Sequence, residues 1–303
     1  MERIALSENG PEVSRLVYGS WRILDDPSSA NVDDLLRRLH ACVDLGITTI
    51  DTAEIYGGYK VEEFLGETLR KDPGLRDRLE IVTKCGIYVP CEFHPERHVA
   101  FYDVTAERIV KSAEKSLKLL GVETLDVLLV HRPDWLTSID DTAEGLNRLL
   151  KDGKIRAAGV SNYSVDQFEA LNSRMDQPLV TNQVEFSLMH MDPIFDGVTD
   201  QCQRLKVRPM AWSPLGGGRL FSHSDEAAIR LHAKAAKLGV KYDMASIDQL
   251  AYAWILAHPS RPIPVIGTNK MDRLTATAKA ASIQLEREDW YALWEAAKGH
   301  SIP

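Results

Sequence analysis

Leu125-Asp126-Val127-Leu128-Leu129-Val130-His131 is the stretch from which the fold is read. Val127 to Val130 are apolar without alternation, the pattern of a strand covered on both faces, and such strands belong to parallel sheets flanked by helices. On one side, Thr105 stands where an N-cap would open a helix running to Leu120. On the other, Asp140 to Lys151 has helical spacing and Ile155 to Gly159 is strand-like again.

The same alternation continues in both directions. Strands are expected at Val17–Gly19, Ile47–Asp51 and Leu79–Lys84, then at Leu179–Val184, Val207–Trp212 and Ile263–Ile266. Between them, helices are expected at Asn31–Leu45, Val61–Arg70, Val165–Ser173, Asp192–Leu205, Ala227–Lys237, Ser246–His258 and Met271–Ala281. A β-hairpin precedes the first strand, and a helix over Arg287–Lys298 is appended. Eight strand–helix units with no Gly/Ser/Pro-rich linker predict an α/β fold: one (β/α)₈ TIM barrel over residues 1–303. A doubly wound sheet would alternate in the same way. A dinucleotide-binding sheet of that kind carries G-x-G-x-x-G after its first strand, however, and here Gly19-Ser20-Trp21-Arg22 follows.

Composition narrows the function. With 36 basic against 44 acidic residues the formal charge is −8, so bulk electrostatics attract neither nucleic acid nor anionic lipid. No apolar run approaches membrane-spanning length, and the first eight residues carry Glu2, Arg3 and Glu8 where a signal peptide needs an apolar core. Cys42, Cys85, Cys91 and Cys202 are too scattered for a disulfide framework. The expectation is a cytoplasmic protein with reduced thiols and a small-molecule partner, as monomer or small homo-oligomer.

Catalytic groups of a barrel sit at the C-terminal ends of its strands. The second strand ends at Asp51, with Tyr56 five residues on; the third ends at Lys84 and the fourth at His131. Singly, each has an ordinary explanation: Asp51 as a cap, Lys84 as a solvated strand end, Tyr56 as turn chemistry beside Gly57-Gly58, His131 as a satisfied polar residue. Together they make a general acid. A lysine beside a tyrosine hydroxyl favours the phenolate, an aspartate keeps that lysine charged, and a histidine can donate to a carbonyl oxygen.

The other half of the barrel suits a cofactor. Ser161-Asn162 and Asn182-Gln183 offer hydroxyl and amide groups that match a nicotinamide carboxamide, and Trp212 offers a stacking face. Ser213-Pro214-Leu215-Gly216-Gly217-Gly218 is lean enough for backbone amides to approach a pyrophosphate. Gly267 and Thr268, then Arg273, follow strand eight, where barrels bind phosphate; Ser20 joins this set from the first loop. The long Cys85–Asp103 loop, through Tyr88 and Phe101, is expected to wall the substrate pocket together with Trp21. His94 and His98 have i, i+4 spacing, but Pro95 lies between them, and no metal site is expected. Cys85 beside Lys84 reads as a small packing residue.

Asp51-Thr52-Ala53-Glu54-Ile55-Tyr56-Gly57 resembles the active-site motif of the aldo/keto reductases. Lys84, His131-Arg132-Pro133, Gly159-Val160-Ser161-Asn162-Tyr163, Asn182-Gln183-Val184-Glu185, Trp212-Ser213-Pro214-Leu215 and Pro264-Val265-Ile266-Gly267 resemble further motifs in order, over nearly the whole chain. Within that superfamily the sequence looks most like the bacterial YdhF-like branch of oxidoreductases. The resemblance implies Tyr56 as proton donor, Asp51 and Lys84 as its tuning pair, His131 orienting the carbonyl, and hydride from C4 of a nicotinamide stacked on Trp212. It also places Arg273 against an adenosine 2′-phosphate, hence NADP(H). Gly267, Ala276 and Thr277 depart from the family pattern there, which has lysine at the first position and a Glu–Asn pair at the others. Two rival functions are weaker. A metal-dependent hydrolase on this barrel would want H-x-H near strand one, where Gly19-Ser20-Trp21 stands. A non-turnover, redox-sensing subunit would not need the four catalytic positions intact.

Overall fold

The computed structural model describes residues 1–28 and 30–302; Ser29 and Pro303, inside the expected 1–303 unit, lie outside the described residues. A two-stranded antiparallel hairpin, β1 (Arg3–Ala5) and β2 (Glu12–Ser14), opens the chain. Eight parallel strands then close on themselves in chain order: β3 (Val17–Gly19), β4 (Thr49–Asp51), β5 (Glu80–Cys85), β8 (Leu125–Val130), β9 (Ile155–Ser161), β10 (Asn182–Glu185), β11 (Met210–Trp212) and β12 (Ile263–Ile266). Between β5 and β8 lies a small antiparallel pair, β6 (Ile87–Tyr88) and β7 (Phe101–Tyr102). Closure excludes the doubly wound sheet.

Thirteen α-helical segments are assigned among the described residues. Up to β8 they are α1 (Val32–Asp44), α2 (Tyr56–Tyr59), α3 (Val61–Lys71), α4 (Pro73–Arg76) and α5 (Ala106–Leu120). Then come α6 (Ile139–Lys151), α7 (Val165–Asn172), α8 (Asp192–Phe195), α9 (Val198–Leu205), α10 (Glu226–Leu238), α11 (Ile247–Leu256), α12 (Met271–Ala280) and α13 (Arg287–Lys298). Three details differ from the sequence reading. The helix expected over Asp192–Leu205 is split at Gly197, whose φ of 87° suits only a left-handed position. Thr105 occupies the N-cap of α5 but caps nothing: its hydroxyl donates to Asp103 Oδ1 instead (2.8 Å). Strands six and seven are shorter than expected, beginning at Asn182 and Met210.

Strand parity sorts the barrel's side chains. Val17, Val82, Val127, Leu129, Ala157, Met210, Ile263 and Val265 form one inner cluster, with Ile4, Leu6 and Val13 of the hairpin packed into it. The hairpin meets the N-terminal strand ends, where Arg3 Nη2 donates to Glu80 Oε1 (2.9 Å), so the barrel floor is sealed. Ile50, Ile81, Leu128 and Val130 belong to a second cluster formed with the surrounding helices. Because alternation is strict, an inward Val82 makes Lys84 inward, and an outward Ile50 makes Asp51 inward.

Parity also places Thr83 outside, and there it meets a buried acid. Glu62 of α3 accepts from Thr83 Oγ1 (2.6 Å) and from Ser116 Oγ of α5 (2.9 Å). Two neutral donors do not compensate the desolvation of a carboxylate, and burial pushes Glu62 up to about 7. The folded state therefore binds this proton more tightly than the unfolded chain, whose glutamate titrates near 4.5. The resulting stability is fully present below about 4.5 and is lost as pH rises through about 7. Glu62→Gln keeps the size and one acceptor without the charge. Its melting temperature should therefore fall less than the parent's between roughly pH 5 and pH 8. Parallel melting curves would mean that Glu62 does not titrate in that window.

Candidate active site

Lys84 is among the largest fully buried side chains, 1% exposed, with its ammonium inside the mouth of the barrel. Its Nζ lies 2.7 Å from both carboxylate oxygens of Asp51, 2.8 Å from the Thr52 carbonyl and 3.1 Å from Tyr56 Oη. Gln183 Nε2 donates to Asp51 Oδ1 from across the barrel (2.7 Å). Burial alone would lower the lysine, but the charges and hydrogen bonds of Asp51 and Tyr56 prevail and raise it. The ammonium is a settled cation.

Tyr56 is held by the turn after β4, where Gly57 and Gly58 both adopt left-handed conformations (φ 57° and 63°). Its ring meets Trp21 edge-on at 4.7 Å and His131 at 6.0 Å. The sequence reading expected the lysine to lower this phenol. In the structure burial outweighs Lys84, with Asp51 adding in the same direction, and Tyr56 stands above its ordinary value of 10.0. His131, by contrast, is driven well below 6.5, first by burial and then by the cations of Lys84 and Arg132. It is a neutral imidazole, and its Nδ1 is buried with no hydrogen-bond partner among the described residues.

Asp51, Tyr56 and His131 line a cavity of about 580 Å³, with Trp21 on one wall and Lys84 just behind. Ser161, Asn162, Gln183, Trp212, Ser213, Leu215, Gly267, Thr268 and Arg273, the residues expected to hold a cofactor, also line it. The amide groups are already networked. Trp212 Nε1 donates to Asn162 Oδ1 (2.9 Å), Asn162 Nδ2 donates to Ser161 Oγ (2.8 Å), and Ser161 Oγ donates to the Gln183 carbonyl (2.8 Å). Asn162 takes a left-handed φ of 60°, which asparagine tolerates better than most residues. Gly217, Gly218 and Gly267 face the open space: a Cβ added at Gly218 or Gly267 would meet nothing within 4 Å.

Four expected contacts are elsewhere. Ser20 is buried behind the wall, its amide donating to the Asp51 carbonyl (2.8 Å). Gly216 packs on Met189, where a Cβ would come within 2.7 Å. Tyr88 turns away from the mouth: its hydroxyl pairs with Ser112 of α5 (3.2 Å), and Phe101 stacks on it at 5.2 Å. The antiparallel β6–β7 pair fixes that direction, and the loop's aromatic content alone could not reveal it. Cys85 is fully buried on the helix side, its thiol pushed up by burial. Conversely, Arg22, Phe221, Asp248 and Tyr252 line the cavity without having been singled out, and Thr277, noted only as a departure from the family pattern, lines it as well. Ile247 was legible as part of a helix, but no local signal in the sequence says that the helix start, with Asp248, points at the mouth.

The model of the aldo/keto reductase family matches residues 15–298. Oxidoreductase YdhF of Escherichia coli (strain K12) is 43% identical over 303 residues, covering 100% of both chains. A 6-dehydroglucose reductase of Agrobacterium fabrum is 43% identical over 302 residues, again covering 100% of each. Among solved structures, the glycerol dehydrogenase AKR11B4 from Gluconobacter oxydans superposes with a TM-score of 0.84 at 28% identity, covering 98% of this chain and 95% of that one. A closed eight-strand barrel, a lysine–aspartate–tyrosine cluster at its mouth and this run of relatives agree: the chain belongs to the aldo/keto reductase family.

Proposed function

We propose that this protein is a cytoplasmic, NADP(H)-dependent reductase of aldehydes or ketones. The observation that carries the proposal is the contact of Lys84 with both Asp51 and Tyr56 at the mouth of a cavity shared with His131. The name of the Agrobacterium relative, a reductase of an oxidised sugar, supports the reductive direction.

The donor set fits a dinucleotide. Arg273 is exposed at one end of the cavity and makes no hydrogen bond or ion pair among the described residues, which suits a phosphate. Gly217, Gly218 and Gly267 leave backbone bare where a pyrophosphate would lie, and Trp212 supplies a ring face beside the tetrad. When bound there, the nicotinamide supplies a hydride to the carbonyl carbon. The chain's residues do the rest. His131, neutral, donates one hydrogen bond to the carbonyl oxygen and holds it toward Tyr56. A tyrosine raised above 10.0 stays protonated at working pH and is ready to give its proton to that oxygen as negative charge develops on it. Lys84, 3.1 Å away, stabilises the phenolate left behind, and Asp51 keeps Lys84 charged and in place. Trp21 covers one side of the reacting centre and limits water there. An intact tetrad favours turnover over a sensing role.

Asp248 lines the same cavity as Arg273, and a carboxylate opposes a 2′-phosphate while suiting a ribose hydroxyl. The preference for NADPH over NADH is therefore expected to be moderate and to depend on Arg273. Titrating intrinsic tryptophan fluorescence with each cofactor tests this, because Trp212 reports on a nicotinamide beside it. Tighter quenching by NADPH, lost in Arg273→Ala, is the expected result. Equal affinities would remove the 2′-phosphate role, and no binding of either cofactor would remove the reductase reading.

The acid is tested by Tyr56→Phe. That variant should bind cofactor as the parent does and lose on the order of a hundredfold or more in kcat for carbonyl reduction. Parental turnover in the variant would mean that another group delivers the proton.

A further inference from the structure

A second cavity of about 530 Å³ adjoins the first, and no role assigned above uses it. The two share Arg132, Asn162 and Trp212, so the second begins one residue from His131 and continues over the C-terminal ends of β8, β9 and β10. The first cavity's lining runs from Tyr56 and His131 to Arg273 and Thr277, and the reductase reading assigns that space to the dinucleotide. A substrate larger than the reacting carbonyl group needs room on another side, and the second cavity supplies it.

Its chemistry is mixed in a way that selects a ligand class. Arg132 is half-buried between the cavities and makes no hydrogen bond or ion pair among the described residues, so its donors are free. Glu185 and Asp196 supply carboxylate acceptors, and His190 lies 3.9 Å from Glu185. At the rim Trp135 is 77% exposed, its ring 5.8 Å from that of Tyr102. An anionic ligand would satisfy Arg132 but face two carboxylates. An alkyl ligand would desolvate these groups and leave Arg132 without a partner. Hydroxyl groups both donate and accept, so a polyol can answer guanidinium and carboxylates together, while the C–H face of its ring lies on an aromatic surface.

We infer that the second cavity is a subsite for a glycosyl group, and that the preferred substrates are carbonyl compounds carrying a sugar ring beyond the reacting carbon. This rests on the reductase reading above and adds where the far part of the substrate sits. Arg132, Glu185 and Trp135 are then specificity determinants, and none takes part in proton or hydride transfer.

Two aldehydes that differ only in that group test the inference: salicylaldehyde β-glucoside and salicylaldehyde methyl ether, each reduced with NADPH by the parent and by Trp135→Ala and Glu185→Gln. The glucoside should be favoured by about tenfold or more in kcat/KM, mostly through KM, and each substitution should bring that ratio toward one. A parental ratio at or below one, or a ratio that neither substitution moves, overturns the subsite. If neither aldehyde is reduced, the reductase reading fails, and the subsite is judged by binding instead. Phenyl β-glucoside should then quench tryptophan fluorescence saturably in the parent and more weakly in Glu185→Gln, which leaves every tryptophan in place. No saturable binding in the parent, or equal affinity in that variant, overturns it.

Discussion

A lysine ammonium sealed inside a barrel is the constraint to which the rest of this mouth answers. Desolvating an unpaired charge costs several kcal/mol or more, so Lys84 must be matched wherever it is buried. Asp51 matches it from the neighbouring strand with both oxygens, and the Thr52 carbonyl and Tyr56 hydroxyl take its remaining hydrogen-bonding capacity. Gln183 ties the same carboxylate to the far side of the barrel. Removing either charge would leave the other buried and alone, a loss typically of about 3–5 kcal/mol. The tyrosine hydroxyl is thereby placed by a requirement of folding rather than by a flexible loop alone.

A neutral network does the same for the opposite wall. Trp212, Asn162, Ser161 and the Gln183 carbonyl form one chain of hydrogen bonds through β9, β10 and β11. That chain stands between the two cavities, since Trp212 and Asn162 line both. Its members keep only part of their polar capacity for a ligand: Gln183 has spent its amide nitrogen on Asp51, and Asn162 has spent its oxygen on Trp212. Positioning here uses groups that the family pattern alone suggests are reserved for the cofactor.

The barrel was legible because its two periods are simple: unbroken apolar runs such as Val127–Val130 between helices of ordinary length. That Asp51, Lys84 and His131 meet at the mouth was legible for the same reason. Strand parity and strand ends together say which polar residues point into the mouth, and Asp51, Lys84 and His131 all satisfy both conditions. What parity does not govern was not legible. Tyr88 and Phe101 stand in a loop whose direction is set by an antiparallel pair of two residues per strand, too short to show a pattern. Asp248 belongs to a helix whose start turns toward the cavity through packing, and Arg132 looked like part of a motif rather than an unpartnered cation. Glu62 is likewise a helix residue until α5 is laid over it.

The two ends of the barrel are held together in different ways. At the floor, the hairpin's Ile4, Leu6 and Val13 close a largely apolar interior, and the polar groups of Arg3, Thr48, Thr49 and Glu80 pair with one another at its edge. At the mouth, Ser20 Oγ, Thr52 Oγ1 and His131 Nδ1 are buried without a partner among the described residues, and Asn162 and Ser213 hold positive φ angles. Each such group costs of order 1–3 kcal/mol, and a packed domain tolerates only a few. Arg208 Nε, beside the hairpin, is a further such group, and Lys206 and Arg261 before β11 and β12 also hold positive φ, so the cost is shared between both ends; the groups at the mouth lie on strands that apolar packing anchors at the floor. Unpartnered groups at the mouth suit a site whose partners arrive with the ligand.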